Sequence, residues 1–157
     1  MNIVFDLDDT LYDVSKIFNS TLKFIFPNVS EEHYDAMYVT FRKYSNLYFD
    51  YSLQGEKELK EMQVMRIMNT LRDHNVGCNR NQAIEFHKHY EYNQYNITLS
   101  EEVKDILKEL QRKGYKLGLI TNGDSMRQRK KIESLGLEEY FEDKIIISGD
   151  YNFNKPD

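Results

Sequence analysis

Asp6, Asp8 and Asp9 follow directly on the apolar run Ile3-Val4-Phe5, in the stretch VFDLDDTLYD of residues 4 to 13. Carboxylates crowded at the end of a buried segment repel one another and are costly to desolvate. Residues two apart on an extended chain share a face, so Asp6 and Asp8 point the same way where the strand ends. A pair of acids held like this can help to hold a divalent cation.

Two further groups can join them. The apolar run YKLGLIT, residues 115 to 121, stops at Asn122-Gly123 and leaves the Thr121 hydroxyl beside free backbone amides. A third apolar run, KIIIS at 144 to 148, leads into a loop that reaches Lys155. In an open parallel sheet, ligands bind at the carboxyl ends of the strands. An acid pair, a hydroxyl with amides and a lysine would then share one edge, a set able to hold a divalent cation and a phosphate. Bound magnesium would offset the repulsion among the aspartates.

The elements that must position these groups are legible from periodicity. Ile3-Val4-Phe5 with Leu7 reads as a strand apolar on both faces. From Ser15 to Tyr95 the pattern is helical throughout. Ile17, Phe18, Thr21, Leu22 and Ile25 form one stripe, ended by Pro27, and Ser30 with Glu31-Glu32 starts a second helix carrying Tyr34, Met37, Tyr38 and Phe41. Leu59, Met62, Met65, Ile67, Met68 and Leu71 mark a third helix, and Ala83, Ile84, His87 and Tyr90 a fourth, before a linker-like stretch at Asn93 to Asn96. Ser100-Glu101-Glu102-Val103 then begins a capped helix whose stripe is Val103, Ile106, Leu107 and Leu110, closed by Gly114. Strand, basic helix (Ser125 to Leu135) and strand follow. This is an α/β chain: a Rossmann-like parallel sheet made by residues 1–14 and 96–157, interrupted after its first strand by an all-helical block, 15–95.

Composition narrows the function. The formal net charge of -5 argues against a binder that neutralises nucleic-acid phosphates. The lone cysteine, Cys78, cannot form an internal disulfide and fits a reducing cytosol. The N-terminus has no basic stretch followed by an apolar one, and no apolar run approaches a membrane span. A cytoplasmic protein without a nucleic-acid or membrane partner is expected.

With these residues in place, the chain resembles the haloacid dehalogenase superfamily of hydrolases, in its phosphatase branch with a helical cap after strand one. The family's Asp-x-Asp-x-Thr motif matches Asp6, Asp8 and Thr10, its strand-end threonine matches Thr121 in LGLITNG, and its lysine matches Lys155 of Lys155-Pro156-Asp157. The resemblance implies that Asp6 is the nucleophile, forming an aspartyl-phosphate, and that Asp8 protonates the leaving oxygen and then activates water. It implies Mg2+ on the Asp6 carboxylate and the Asp8 backbone carbonyl. Thr121, the Asn122 amide and Thr10 would bind phosphoryl oxygens, and Lys155 would neutralise charge. Dehalogenating relatives lack an acid at the position of Asp8, because a halide leaves without a proton. The expected activity is therefore hydrolysis of a small phosphorylated metabolite such as a nucleotide or sugar phosphate.

The chain departs from that pattern at its far end, where the family's fourth, acidic motif would follow Asp157. The expectation is a core without its C-terminal part. Such a chain would bind Mg2+ weakly, turn over at less than about 1 s⁻¹, and self-associate through the open edge of strand one. The alternatives are an inactive fragment with a binding or structural role, and phosphoryl transfer to an acceptor other than water. The remaining polar residues read as ordinary surface or core. Asp9 is a capping residue, Asp13 a turn residue, and Met62, Met65 and Met68 helical core. Arg42, Lys43, Arg66 and the basic run RQRKK at 127–131 read as solvated helix faces, and the four histidines as non-ligands.

Overall fold

The computed structural model describes residues 1–151 and residue 155. The chain divides into two compact units, Met1–Val14 with Gln94–Asp157, and Ser15–Asn93.

The first unit is built on a parallel three-stranded sheet in the order β1 (Asn2–Phe5), β2 (Lys116–Thr121), β3 (Ile145–Ile147). Phe5 stands opposite Leu119, and Thr121 opposite Ile147. Alternation along β2 turns Leu117, Leu119 and Thr121 to one buried face. That face packs with Leu7, Leu107, Leu137 and Phe141, all fully enclosed. The expectation that strand one is buried on both faces is corrected. Ile3 and Phe5 pack on the core, but Val4, pointing the other way, is 58% exposed, and Ile146 on β3 is exposed as well. Among the described residues β1 is an edge strand covered on one face.

Helix α6 (Glu101–Arg112), preceding β2, begins as its sequence indicates, with the Ser100 side chain accepting from the Val103 amide. Leu107 is its buried centre, whereas Ile106, expected in the stripe, is half exposed. Helix α7 (Ser125–Ser134) follows β2 and is capped by Asp124, which accepts from Arg127 N. A four-residue helix, α8 (Glu138–Phe141), lies between α7 and β3 and has no periodic signature long enough to read.

In the second unit the helices are α1 (Ser15–Ile25), α2 (Tyr34–Leu47, entered through a 3-10 turn at Glu31–His33), α3 (Phe49–Ser52), α4 (Glu56–Asp73) and α5 (Arg80–Gln94). The core is a cluster of rings. Phe18 lies 4.9 Å from Phe41 and 5.7 Å from Phe86, and Phe41 lies 5.4 Å from Tyr90. Arg66 is not on a solvated face. Its guanidinium sits 4.3 Å from the Phe41 ring centroid and donates to Ser45 Oγ, while Arg42 and Lys43 are exposed as expected. The Asn93–Asn96 stretch is not all linker, because α5 runs through Asn93, whose amide donates to Thr21 Oγ1 at 2.9 Å. Met62 is buried and Met65 and Met68 are half-buried. No helix among the described residues is long and apolar enough to cross a membrane.

Candidate active site

Leu7 is the pivot between strand and site. Its side chain is enclosed in the core, so its neighbours Asp6 and Asp8 are both turned away from it. Its carbonyl accepts from the Thr10 and Leu11 amides, which closes a turn immediately after β1. Asp9 takes the left-handed conformation (φ 58°), and its carboxylate accepts from Val14 N at 2.9 Å. It caps the turn, a role aspartate fills readily. Thr10 is exposed on the same turn.

Asp6 is partly open to solvent, and Lys155 Nζ donates to its Oδ1 at 2.7 Å. The same ammonium donates to the Ile120 carbonyl at 2.8 Å, next to the end of β2. Asn122 fixes the lysine's backbone from both sides, accepting from Lys155 N at 2.8 Å and donating to Lys155 O at 3.3 Å. Asp6, Lys155 and Asn122, distant in sequence, therefore meet. Pro156 and Asp157 lie outside the described residues.

Asp8 is held by three donors. Lys131 Nζ lies 2.9 Å from its Oδ1, where the Tyr12 hydroxyl also donates, and Gln128 Nε2 donates to its Oδ2 at 3.0 Å. Burial pushes this carboxyl upward. The Lys131 charge and the hydrogen bonds from Tyr12, Lys131 and Gln128 outweigh burial and hold it below the usual carboxylate range. Asp8 is thus an ion at neutral pH in this arrangement. The crowding of aspartates is offset by two lysines, one for each carboxylate.

Gln128 and Lys131 correct the reading of the basic run as an outer face. Both are buried, at 3% and 8% exposure. Their sequence signal is present but easily overlooked: Gln128, Lys131, Ile132 and Leu135 fall at helical spacing on one face, and the last two are core residues. A lysine is buried only where a partner compensates it, and the partner comes from the other end of the chain.

Thr121 is 1% exposed, and its Oγ1 accepts from Gln128 Nε2 at 2.7 Å. The following turn is braced by the loop after β3. Gly123 N donates to Ser148 Oγ at 3.0 Å, and Gly149 N donates to Gly123 O at 3.1 Å. A Cβ on Gly149 would stand 2.6 Å from that oxygen and 2.7 Å from Ser125 N, so the close approach of these backbones requires glycine.

Among the described residues no three His, Cys, Asp or Glu side chains cluster as a metal site. His89 lies against the Phe24 ring at 4.4 Å and His74 Nε2 against Thr40 Oγ1 at 2.8 Å. Cys78 is held as a thiol, its pKa pushed up to about 11 by burial.

A family model described as haloacid dehalogenase-like hydrolase matches residues 1–157. The N-acylneuraminate-9-phosphatase of Rattus norvegicus is 46% identical over 61 residues, 39% of this chain and 24% of that protein. The glyceraldehyde 3-phosphate phosphatase of Methanothermobacter thermautotrophicus is 40% identical over 48 residues, 31% of this chain and 21% of that protein. Among solved structures, the L-2-haloacid dehalogenase RSc1362 superposes with TM-score 0.65 at 19% identity, over 99% of this chain and 66% of that one. The putative HAD-hydrolase YfnB from Bacillus subtilis, bound to magnesium, gives 0.62 at 22% identity, over 98% and 66%. The structural likeness speaks to fold, and the matches span less than two thirds of the length of each of these proteins.

Proposed function

The chain belongs to the haloacid dehalogenase-like hydrolases, and from that premise we propose that it is a magnesium-dependent phosphomonoester hydrolase acting on a small phosphorylated metabolite, a nucleotide or sugar phosphate. The observation that carries this reading is the Lys155 ammonium on Asp6 Oδ1 and the Ile120 carbonyl, which sets a cation between the first strand's carboxylate and the end of the second strand. The relatives named as phosphatases support phosphate ester over halide as the bond broken.

In this reading an Asp6 oxygen attacks phosphorus, the alkoxide leaves, and an aspartyl-phosphate forms. Thr121, the Asn122 amide and Thr10 hold the phosphoryl oxygens, and Lys155 offsets their charge. Water then attacks the phosphorus, restoring the Asp6 carboxylate and releasing phosphate. Asp8 as an ion is suited to take the proton of that water. To protonate the alkoxide in the first step it must be protonated itself, which the Lys131 contact opposes, so arrival of the doubly charged phosphate has to offset that contact.

The Asp6 carboxylate and the Asp8 carbonyl are hard oxygen donors that fit Mg2+, which binds through one or two carboxylates and completes its shell with water and substrate phosphate. Its charge would lower the repulsion between Asp6 and an incoming phosphate. Magnesium-dependent turnover of an aryl phosphate, compared between the unmodified chain and Asp6→Asn, tests the reading. Turnover should vanish in the variant while the unfolding transition stays in place. Retention of more than about a tenth of the rate would remove Asp6 from the role of nucleophile.

A further inference from the structure

Gln128 carries no charge, yet its side chain is 3% exposed and lies where the ends of β1 and β2 meet. Its Nε2 is 2.7 Å from Thr121 Oγ1, 3.0 Å from Asp8 Oδ2 and 3.2 Å from the Asn122 carbonyl. A carbonyl and a carboxylate can only accept, so the atom facing them is the NH2 group, with two hydrogens to give. An amide nitrogen does not accept, so the threonine hydroxyl, at the shortest contact, accepts as well, and the two hydrogens are shared among three oxygens. A hydroxyl that accepts on one side still has its own hydrogen to donate. The Thr121 hydroxyl's contact with the Asn122 carbonyl, at 3.5 Å, is at the outer limit of a hydrogen bond and holds that hydrogen weakly.

We propose that Gln128 is a positioning residue for phosphate binding: its amide fixes the Thr121 hydroxyl as a donor toward a phosphoryl oxygen and ties that hydroxyl to the carboxylate of Asp8. The inference rests on the phosphatase reading above. The turn between them is built for it. A Cβ on Gly123 would lie 3.1 Å from both Cγ and Cδ of Gln128, so bare backbone at 123 is what lets the glutamine stem lie across the turn. Lys131, three residues further along α7, grips the other Asp8 oxygen at 2.9 Å, so one helix face orients both strand ends. A neutral donor suits this place. Glutamate would set an acceptor against Asp8 Oδ2, and a residue without a donor would leave the threonine hydroxyl free to turn inward to the Asn122 carbonyl.

The test uses the whole chain and inorganic phosphate as the probe. Gln128→Met keeps the length and bulk over Gly123 but donates nothing. Gln128→Glu keeps the shape and reverses the hydrogen-bonding sense, which provides a second variant if the first folds poorly. Calorimetric phosphate affinity, KM and kcat for an aryl phosphate, and thermal unfolding are read for each. Expected are an unfolding midpoint near that of the unmodified chain, phosphate affinity weakened and KM raised about 10–100-fold, the loss of a hydrogen bond to a charged group, and a larger effect in Gln128→Glu than in Gln128→Met. A role confined to structure would lower the midpoint and the active fraction while leaving KM alone. In a Thr121→Val background Gln128→Met should weaken phosphate binding by less than about threefold, because the hydroxyl it orients is gone. Normal phosphate affinity in Gln128→Met, or losses that simply multiply in the double variant, overturns this inference alone. An unmodified chain that binds no phosphate overturns it together with the phosphatase reading.

Discussion

In the unit Ser15–Asn93 buried rings meet buried rings, and hydroxyls donate back to their own helix, Thr21 to the Ile17 carbonyl, Thr70 to that of Arg66 and Ser45 to that of Phe41, while Thr21 and Ser45 also accept from Asn93 and Arg66 on other helices. In the sheet unit the buried polar groups include a charged one, and their partners lie farther away along the chain. Lys131 grips a carboxylate 123 residues away, and Gln128 one 120 residues away. Both units exclude water, but one does so to hold helices together and the other to hold a few polar atoms at fixed positions. The buried hydroxyl of Thr21 is satisfied within its own unit, by the Ile17 carbonyl and the Asn93 amide, whereas the buried ammonium of Lys131 is satisfied by a carboxylate from the far end of the chain.

The contrast can be tested by substitutions of decreasing consequence. Phe18→Ala opens a void among Phe41 and Phe86 and should cost about 3–5 kcal/mol by denaturant unfolding, the loss usual for a buried phenylalanine. A loss below about 1 kcal/mol would mean that the ring cluster is not what stabilises the helical unit. Gly149→Ala drives a methyl against the Gly123 carbonyl and should cost about 1–3 kcal/mol. It should also impair turnover more than its stability loss explains, since the turn it distorts carries Asn122. Equal effects on stability and activity would erase that distinction.

Lys131→Met removes the positive charge beside Asp8 but leaves Gln128 and Tyr12 bonded to that carboxylate. One side chain of the pair is 10% and the other 33% exposed, so the loss should be about 1–2 kcal/mol, less than for a fully buried pair. Unfolding at pH 7 measures it, and a change under about 0.3 kcal/mol would make Lys131 the solvated residue its neighbours suggest. Smallest of all, Cys78→Ser should alter stability by no more than about 0.5 kcal/mol and turnover not at all. With the thiol's pKa near 11, alkylation at pH 7 should run on the order of a hundredfold slower in the folded chain than in urea. Equal rates would place Cys78 in an environment unlike the one described.

Much of this fold could be read from the residues in order. Ser100 caps α6 because its hydroxyl, placed before two glutamates and an apolar stripe, accepts from the Val103 amide, and β2 ends at Thr121 because Asn-Gly favours a turn. The short elements were not legible. α3 and α8 are four residues each, too brief for any period to show. Ile106 and Val4 have the right residue type and period for burial but are 49% and 58% exposed, because burial depends on what the fold lays over them and not on period alone.

What the chain's own order determined was therefore the succession of strands and helices, and the appearance of Asp6, Asp8, Thr121 and Lys155 at or beyond strand ends. Periodicity, caps and glycine turns are local, and a few neighbouring residues suffice to express them. Only tertiary structure decided that Lys131 and Gln128, in a run that reads as a solvated basic face, are buried on Asp8, that Asp8 is thereby held as an ion, and that Arg66 lies against a phenylalanine ring. Whether a lysine is hydrated or enclosed depends on whether a carboxylate stands opposite it. Here that carboxylate is supplied by the first strand's exit, more than a hundred residues earlier in the chain.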